Sequence, residues 1–402
     1  MAGQQFSPHI FFGLDAMMVS TIILCITYAV IIWDKLNRAI VALLGASVMV
    51  VIGALDQNEA LKGIDWNTIG LLTGMMILVS VSRRSGMFEY LAIWSAQKAK
   101  ASPAGILLLL QLTTAVVSAL LDNVTTVLLV VPVTLAITKE LDVPPYPFLF
   151  AEVFASNIGG TATLIGDPPN ILIGSLAGLD FNAFIIHLTP VIIVVMAAQA
   201  VMIHLLWGKA LKSTPARRAL VMGMSAKETI LDWTLLKQSL VVLVAVIVAF
   251  VLARPLHLEP ATIALAGAAV LMFLDNWQHH TEKQSQNVHR TFSDVEWITI
   301  FFFIGLFIVV HGVEVGGLLH LLANELVAAT GGNLASAGYA ILWASAFLSA
   351  IVDNIPFVAT MIPLIKSMAR VPFRFVTYAL YGMPMMVVSV AICHVYVWWR
   401  YF

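Results

Sequence analysis

The chain has 402 residues, of which 60% are hydrophobic and only 11% charged, with a mean hydropathy of +0.94 and a formal net charge of −1. Soluble globular domains carry about a quarter of their residues as charges, so this composition reads as a polytopic membrane protein and excludes a soluble domain. The near-zero charge excludes nucleic acid as a partner, and the two cysteines, Cys25 and Cys393, sit in separate apolar segments that support neither a disulfide framework nor a metal site.

A helix needs about 20 apolar residues to cross the hydrocarbon core, and the hydropathy pattern predicts an all-α bundle of ten or eleven spans. The first 16 residues lack the charged start and cleavage site of a secretory signal. A first span covers 17–33 and a second runs to about Leu55. Asp56 to Asp65 is an exposed acidic loop. A third span, about Trp66 to Ser82, ends at Arg83-Arg84, and the stretch to Ser102, with Lys98 and Lys100, reads as an amphipathic segment lying in the interface. From Ala104 the chain spans again into SALLDNVTTVLLVVPVTLAI at 118–137 and surfaces at Lys139 to Pro147. It returns through Glu152 into SNIGGTATLIGDPPN at 156–170, where Gly159-Gly160, Gly166 and Pro168-Pro169 predict a discontinuous helix. Non-helical backbone at membrane depth is tolerated only when buried in protein or lining a wet cavity. A last span of this half covers about Ile185 to Trp207, and Lys209 to Lys237 is a basic linker.

The second half repeats the first. SAIVDNIPFVATMIPLIKSM at 349–368 matches the block at 118, and EWITIFFFIGLFIVV at 296 matches DWNTIGLLTGMMILV at 65. One constant offset carries Asp122 onto Asp353, Pro132 onto Pro363, Gly74 onto Gly305 and Gly86 onto Gly317. The reading is therefore a first transmembrane repeat over 1–208, a basic cytoplasmic linker over 209–237 and a second repeat over 238–402. Alignment of Pro190 with Pro384 makes that second repeat short by about 37 residues after Ala369. The segment 83–103 carries Arg83, Arg84, Lys98 and Lys100, whereas its counterpart 314–334 has Glu314 and Glu325 and no Lys or Arg. By the positive-inside rule the repeats have inverted topology, with the amino terminus outside and the linker in the cytoplasm. Inverted repeats with discontinuous helices and re-entrant hairpins are the pattern of secondary transporters, whose sites lie where the repeats meet.

A carboxylate within a membrane segment costs roughly 2.5–3.5 kcal/mol on insertion scales and marks a functional site by default. Asp122 and Asp353 are such carboxylates, each followed by an asparagine, Asn123 and Asn354; capping of the following helix is the alternative role. Around the first pair gather Thr125, Thr126, Ser156, Asn157, Thr161, Thr163, Asp167 and Asn170, all close to helix breaks. Unwound carbonyls can hold a cation, half-helix amino termini an anion, and a buried carboxylate a proton. Glu152 is a candidate proton relay, or else an interfacial residue after the proline-rich turn. No GxxxxGK[ST] loop is present, which argues against ATP coupling within the chain, and no cofactor or metal ligand set is evident.

The repeated Leu-Asp-Asn and Val-Asp-Asn sites, and above all EVFASNIGGTATLIGDPPNILI at 152–173, resemble the arsenite permease and sodium/proton antiporter family of the ion transporter superfamily. The resemblance runs over nearly the whole chain. It implies a two-repeat bundle and proton-coupled transport, and it points to Asp122, Asn123, Asn157, Gly160, Thr161 and Asp167, with Asp353 and Asn354 in the second half. The Ser156-Asn157 pair is similar to the hairpin-tip motif of related dicarboxylate carriers. In that family a second broken helix follows the second Asp-Asn site, and here the chain passes from Met368 almost directly to the final span.

The expectation is a multi-pass inner-membrane transporter, not an enzyme, that exports arsenite or antimonite in exchange for protons. Arsenous acid is largely neutral and polyhydroxylated, so Asn, Thr and Asp can hydrogen-bond it without thiols. The alternative is a sodium/proton antiporter with Asp122 and Asp353 as ligands. A dicarboxylate carrier ranks lower for want of a core arginine, and an intramembrane aspartyl protease lower still for want of its GxGD pattern. The resemblance also implies that a soluble ATPase subunit can dock on the cytoplasmic face.

Overall fold

The computed structural model describes residues 13–33 and 35–318 without a break, together with scattered positions on either side. Asp353, Asn354, Ala369 and the proposed shortfall after it lie outside the described residues. Those residues form an all-α polytopic membrane protein with no strand among them. In chain order the helices are α1 (Ala16–Trp33), α2 (Arg38–Val51), α3 (Gln57–Gly63), α4 (Trp66–Arg83), α5 (Met87–Lys98), α6 (Pro103–Leu120), α7 (Asn123–Leu141), α8 (Tyr146–Gly160), α9 (Pro168–Ala177), α10 (Phe181–His187) and α11 (Thr189–Ile203). After a π-helical turn at His204–Gly208 come α12 (Pro215–Gly223), α13 (Trp233–Val251), the single turn α14 (Ala253–Leu256), α15 (Pro260–Asn276), α16 (Thr281–Ser293) and α17 (Trp297–Gly316).

Among the described residues six helices are long and apolar enough to cross a membrane, or seven if α3 and α4 count as one broken span. Part of the ten or eleven spans expected from hydropathy falls outside the described residues, and within them apolar stretches are also divided into shorter pieces: α2 has 14 residues, α8 15 and α9 10. Burial sorts the long helices by role. Only 28% of α1 and of α13 is buried, with Met18, Ile22 and Ile26 exposed at every fourth position, whereas 56% of α7 is buried. An apolar helix with an exposed apolar stripe suits lipid, and α7 forms the interior of its bundle.

The helices fall into two compact units. Among the described residues, one comprises those up to Ile69 with the helix from Trp297 to Gly316, the other those from Gly70 to Val295. In the first, α17 packs along α2, and a Cβ on Gly305 would stand 2.6 Å from the Ala42 carbonyl carbon. One turn on, Val309 reaches within 3.2 Å of where a Cβ of Gly45 would be. In the second unit, a Cβ on Gly74 of α4 would stand 2.7 Å from the carbonyl carbon of Ala264 in α15, and Leu78 approaches Gly267 in the same way at 3.6 Å. The two packings use matching residues. AIVALLGASVMV in α2 lines up with ATIALAGAAVLM in α15, pairing Ala42 with Ala264 and Gly45 with Gly267. Small residues let helix backbones approach closely in lipid, where the hydrophobic effect supplies no force between helices. Gly305→Ala and Gly74→Ala are each expected to lower stability by about 1–3 kcal/mol, since the obstructing atoms are backbone. Thermal unfolding in detergent checks this.

Two segments are more structured than the sequence alone specified. The stretch expected to lie in the interface forms α5, whose Phe88, Ala92, Ser95 and Ala96 are buried; Ala92 and Ala96 join a core with Ile106, Leu110, Ile137 and Phe148. Its charges, Glu89 and Lys98, stand at the two ends, which leaves a small-residue face free to pack. The basic linker is also ordered. It forms α12 and a short 3₁₀ turn, Val221 is fully buried, and the Gln97 amide donates to the Met224 carbonyl at 2.5 Å.

Candidate functional site

The site is built where three helices end. α6 stops at Leu120 because Leu121 and Asp122 are extended, and α7 restarts at Asn123 with Asp122 as its cap. Asp122 Oδ1 accepts from the Thr125 amide at 2.8 Å, Asn123 Oδ1 accepts from the Val124 amide at 2.9 Å, and the Thr126 hydroxyl donates to the Asp122 carbonyl at 2.8 Å. Capping, the alternative role weighed for Asp122, is thus what its side chain does. Asparagine caps as well as aspartate. Asp122→Asn is therefore expected to leave stability unchanged, and Asp122→Ala to cost about 1 kcal/mol; thermal unfolding of the pair separates the cap from any need for charge in transport.

α8 reaches this point with Asn157 near its end. Gly159 and Gly160, which read as helix breakers, are the last two residues of the helix, and the break falls at 161–167. The reason is packing. A Cβ on Gly159 would stand 2.2 Å from the Ala115 carbonyl oxygen of α6, and one on Gly160 would stand 2.4 Å from the Gly166 oxygen. Ser118 adds a hydrogen bond from its hydroxyl to the Ser156 carbonyl at 2.7 Å, while the Ser156 hydroxyl turns back to the Val153 carbonyl.

The connecting loop is held by its own polar groups. Thr161 donates to the Asn157 carbonyl at 2.8 Å, Thr163 to the Ala119 carbonyl at 2.5 Å and Thr189 to the Ala162 carbonyl at 3.0 Å. The Asn170 amide reaches the Thr163, Thr161 and Gly160 carbonyls at 2.8, 3.2 and 3.4 Å. Buried backbone needs such partners. Asp167 precedes Pro168 and Pro169, which lack amide hydrogens, and the amides of Asn170 and Ile171 are taken by the Asp167 carbonyl. Its carboxylate therefore makes no capping bond to α9.

That carboxylate meets the other two chain ends. The Asn123 side-chain amide donates to Asn157 Oδ1 at 2.8 Å and to Asp167 Oδ1 at 3.4 Å. One residue from the start of α7, one from the end of α8 and one from the start of α9 thus converge. Asp122, Thr126, Ser156, Gly160, Thr161 and Asn170 surround them as cap, backbone spacer or loop support. At the start of α7 the Val124 and Thr125 amides are taken by the Asn123 and Asp122 side chains, and at the start of α9 the Asn170 and Ile171 amides are taken by the Asp167 carbonyl.

Glu152 stands apart, on α8 before the cluster, fully buried, with Oε1 accepting from the Thr134 hydroxyl of α7. Thr134 escaped the sequence reading, although Thr126, Thr134 and Thr138 fall on one face of α7 at multiples of four residues. Gly166 and Ser118 were also missed as support, because a close backbone approach leaves no compositional mark beyond a small residue.

Comparison with known proteins agrees with a transport role. The profile described as "CitMHS: Citrate transporter" matches residues 28–393. An uncharacterized transporter of Mycobacterium tuberculosis is 44% identical, covering 88% of this chain and 81% of its own length. A 46 kDa membrane protein of Mycobacterium leprae is 42% identical over 87% of this chain and 81% of its own. The human P protein is 31% identical over 88% of this chain, which corresponds to 51% of that longer protein. The matched profile names citrate transport where the motif resemblance pointed to arsenite permeases.

Proposed function

The chain belongs to the citrate transporter family, and from that premise we propose that it is a proton-coupled secondary transporter whose Asn123–Asn157–Asp167 cluster contacts a small oxygen-rich solute. The observation that carries this reading is the convergence of three polar side chains from three helix ends on one partly buried point. Membrane proteins hold such groups away from lipid because desolvating them is costly, and helix breaks are where transporters present them. The matching pairs Gly74–Ala264 and Gly305–Ala42 support the division into two repeats, with a second cluster expected from Asp353 and Asn354.

The family description suggests a polycarboxylate such as citrate. No Lys, Arg or His joins the described cluster, so a polyanion would have to arrive partly neutralised, by protons or by a bound cation, to sit beside Asp167. The same feature favours a second reading, export of arsenous or antimonous acid, which are neutral and rich in hydroxyls.

Purified protein in proteoliposomes with an imposed pH gradient separates these readings. Citrate, citrate with magnesium, arsenite and sodium are offered in turn while internal pH is followed. A solute-dependent proton flux with citrate or arsenite identifies the solute class. A sodium-dependent flux alone makes the protein a cation antiporter, and absence of any proton flux in all four overturns the proposal.

A further inference from the structure

Glu152 is an isolated carboxyl group inside the helix bundle. It is 0% exposed; Oε1 is held by the Thr134 hydroxyl, and Oε2 has no hydrogen-bond partner among the described residues. The helices packed against α8 are α6, α7 and α11. α6 and α11 carry no titratable side chain, α7 has only Lys139 and Glu140 in its last turn, α8 itself adds only Tyr146 in its first, and the π-helical turn, whose Trp207 packs on Tyr146 and Phe150, adds only the exposed His204. No cation from these elements balances Glu152. A desolvated charge without a partner is costly, and a bound proton removes that charge.

Other polar atoms on the same neighbours are buried without partners. Gln111 Oε1 and Thr114 Oγ1 lie on α6, and Gln199 Oε1 lies on α11, whose amide nitrogen bonds to the Ala151 carbonyl of α8 at 3.3 Å. Buried polar groups are normally satisfied. Both α6 and α11 thus hold unsatisfied buried oxygens, and α8 carries Glu152 and Asn157 on one continuous helix.

We propose that Glu152 is the group that binds and releases the coupled proton, with Thr134 as its fixed anchor and Oε2 as the proton's position. This rests on the reading of the chain as a proton-coupled transporter and assigns the step to one residue. No bond other than O–H forms or breaks; the proton is taken from water on one side of the membrane and returned to water on the other.

The test compares wild-type protein with Glu152→Gln and Glu152→Asp in proteoliposomes, using whichever solute drives proton flux in the wild type. Glu152→Gln is expected to keep solute exchange at zero gradient within about threefold while losing solute-driven proton flux more than tenfold, and Glu152→Asp to restore part of that flux. Proton flux in Glu152→Gln equal to wild type overturns the assignment. Should Glu152→Gln fail to accumulate in the membrane, Thr134→Val decides: a displaced pH profile of transport sustains the proposal, and an unchanged one overturns it. Absence of proton flux in the wild type counts against proton coupling as a whole, which distinguishes the two failures.

Discussion

Asn123→Ala is expected to reduce transport about 100-fold while the protein still folds and inserts. The Asn123 side-chain amide is the donor that joins Asn157 and Asp167, so its removal leaves two acceptors without their shared partner. An acceptor stripped of its donor costs about 1–3 kcal/mol where it is buried, and two partly buried ones at about 1.4 kcal/mol each correspond to roughly two orders of magnitude in the population of a competent site. The helix start survives, because the cap of α7 is Asp122 and the Thr125 amide remains bonded to it. Initial rates in proteoliposomes beside thermal unfolding in detergent check both halves of the statement. A rate within twofold of wild type removes Asn123 from the site.

Gly159→Ala is expected to damage folding and transport together. Its new Cβ would stand 2.2 Å from the Ala115 carbonyl oxygen and 2.5 Å from the Ala115 Cα, where no side-chain rotamer can relieve the overlap. α6 and α8 must separate, and α8 carries Asn157 away from Asn123 with it. Overpacking of this kind costs about 1–3 kcal/mol, enough for a clear fall in unfolding temperature, and displacement of Asn157 should silence transport in the fraction that remains folded. Gly223→Ala is the control. Nothing lies within 4 Å of the Cβ it adds, and both properties should stay as in the wild type.

These two residues also show what the amino-acid sequence made legible. Asn123 announces itself: a polar pair in an apolar segment, just before a helix start, is costly in lipid and demands an explanation. The break ahead of Pro168 was equally plain, since consecutive prolines cannot continue a helix. Glycine marks either a break or a close approach, and Gly159 serves both: α8 ends one residue later, and α6 occupies the space a side chain would need. The correspondence of α2 with α15 was hidden for a related reason. Its matched positions are Ala, Gly and Val, which chance produces readily in apolar sequence, and only the repeated contacts of Ala42 with Gly305 and Ala264 with Gly74 give them weight. The bond from Thr134 to Glu152 spans two helices, so periodicity could show that Thr134 shares a face with Thr126 but not what that face meets.

The central claim is that the Asn123–Asn157–Asp167 cluster contacts the transported solute. Its most direct test is solute protection of a single introduced cysteine, Asn157→Cys, placed in a background with Cys25 and Cys393 replaced by serine, against a thiol reagent in proteoliposomes. The expected result is labelling that slows in proportion to added solute and reaches half-protection near the solute concentration that half-saturates transport. Labelling whose rate ignores saturating solute, in protein that still transports it, would contradict the claim.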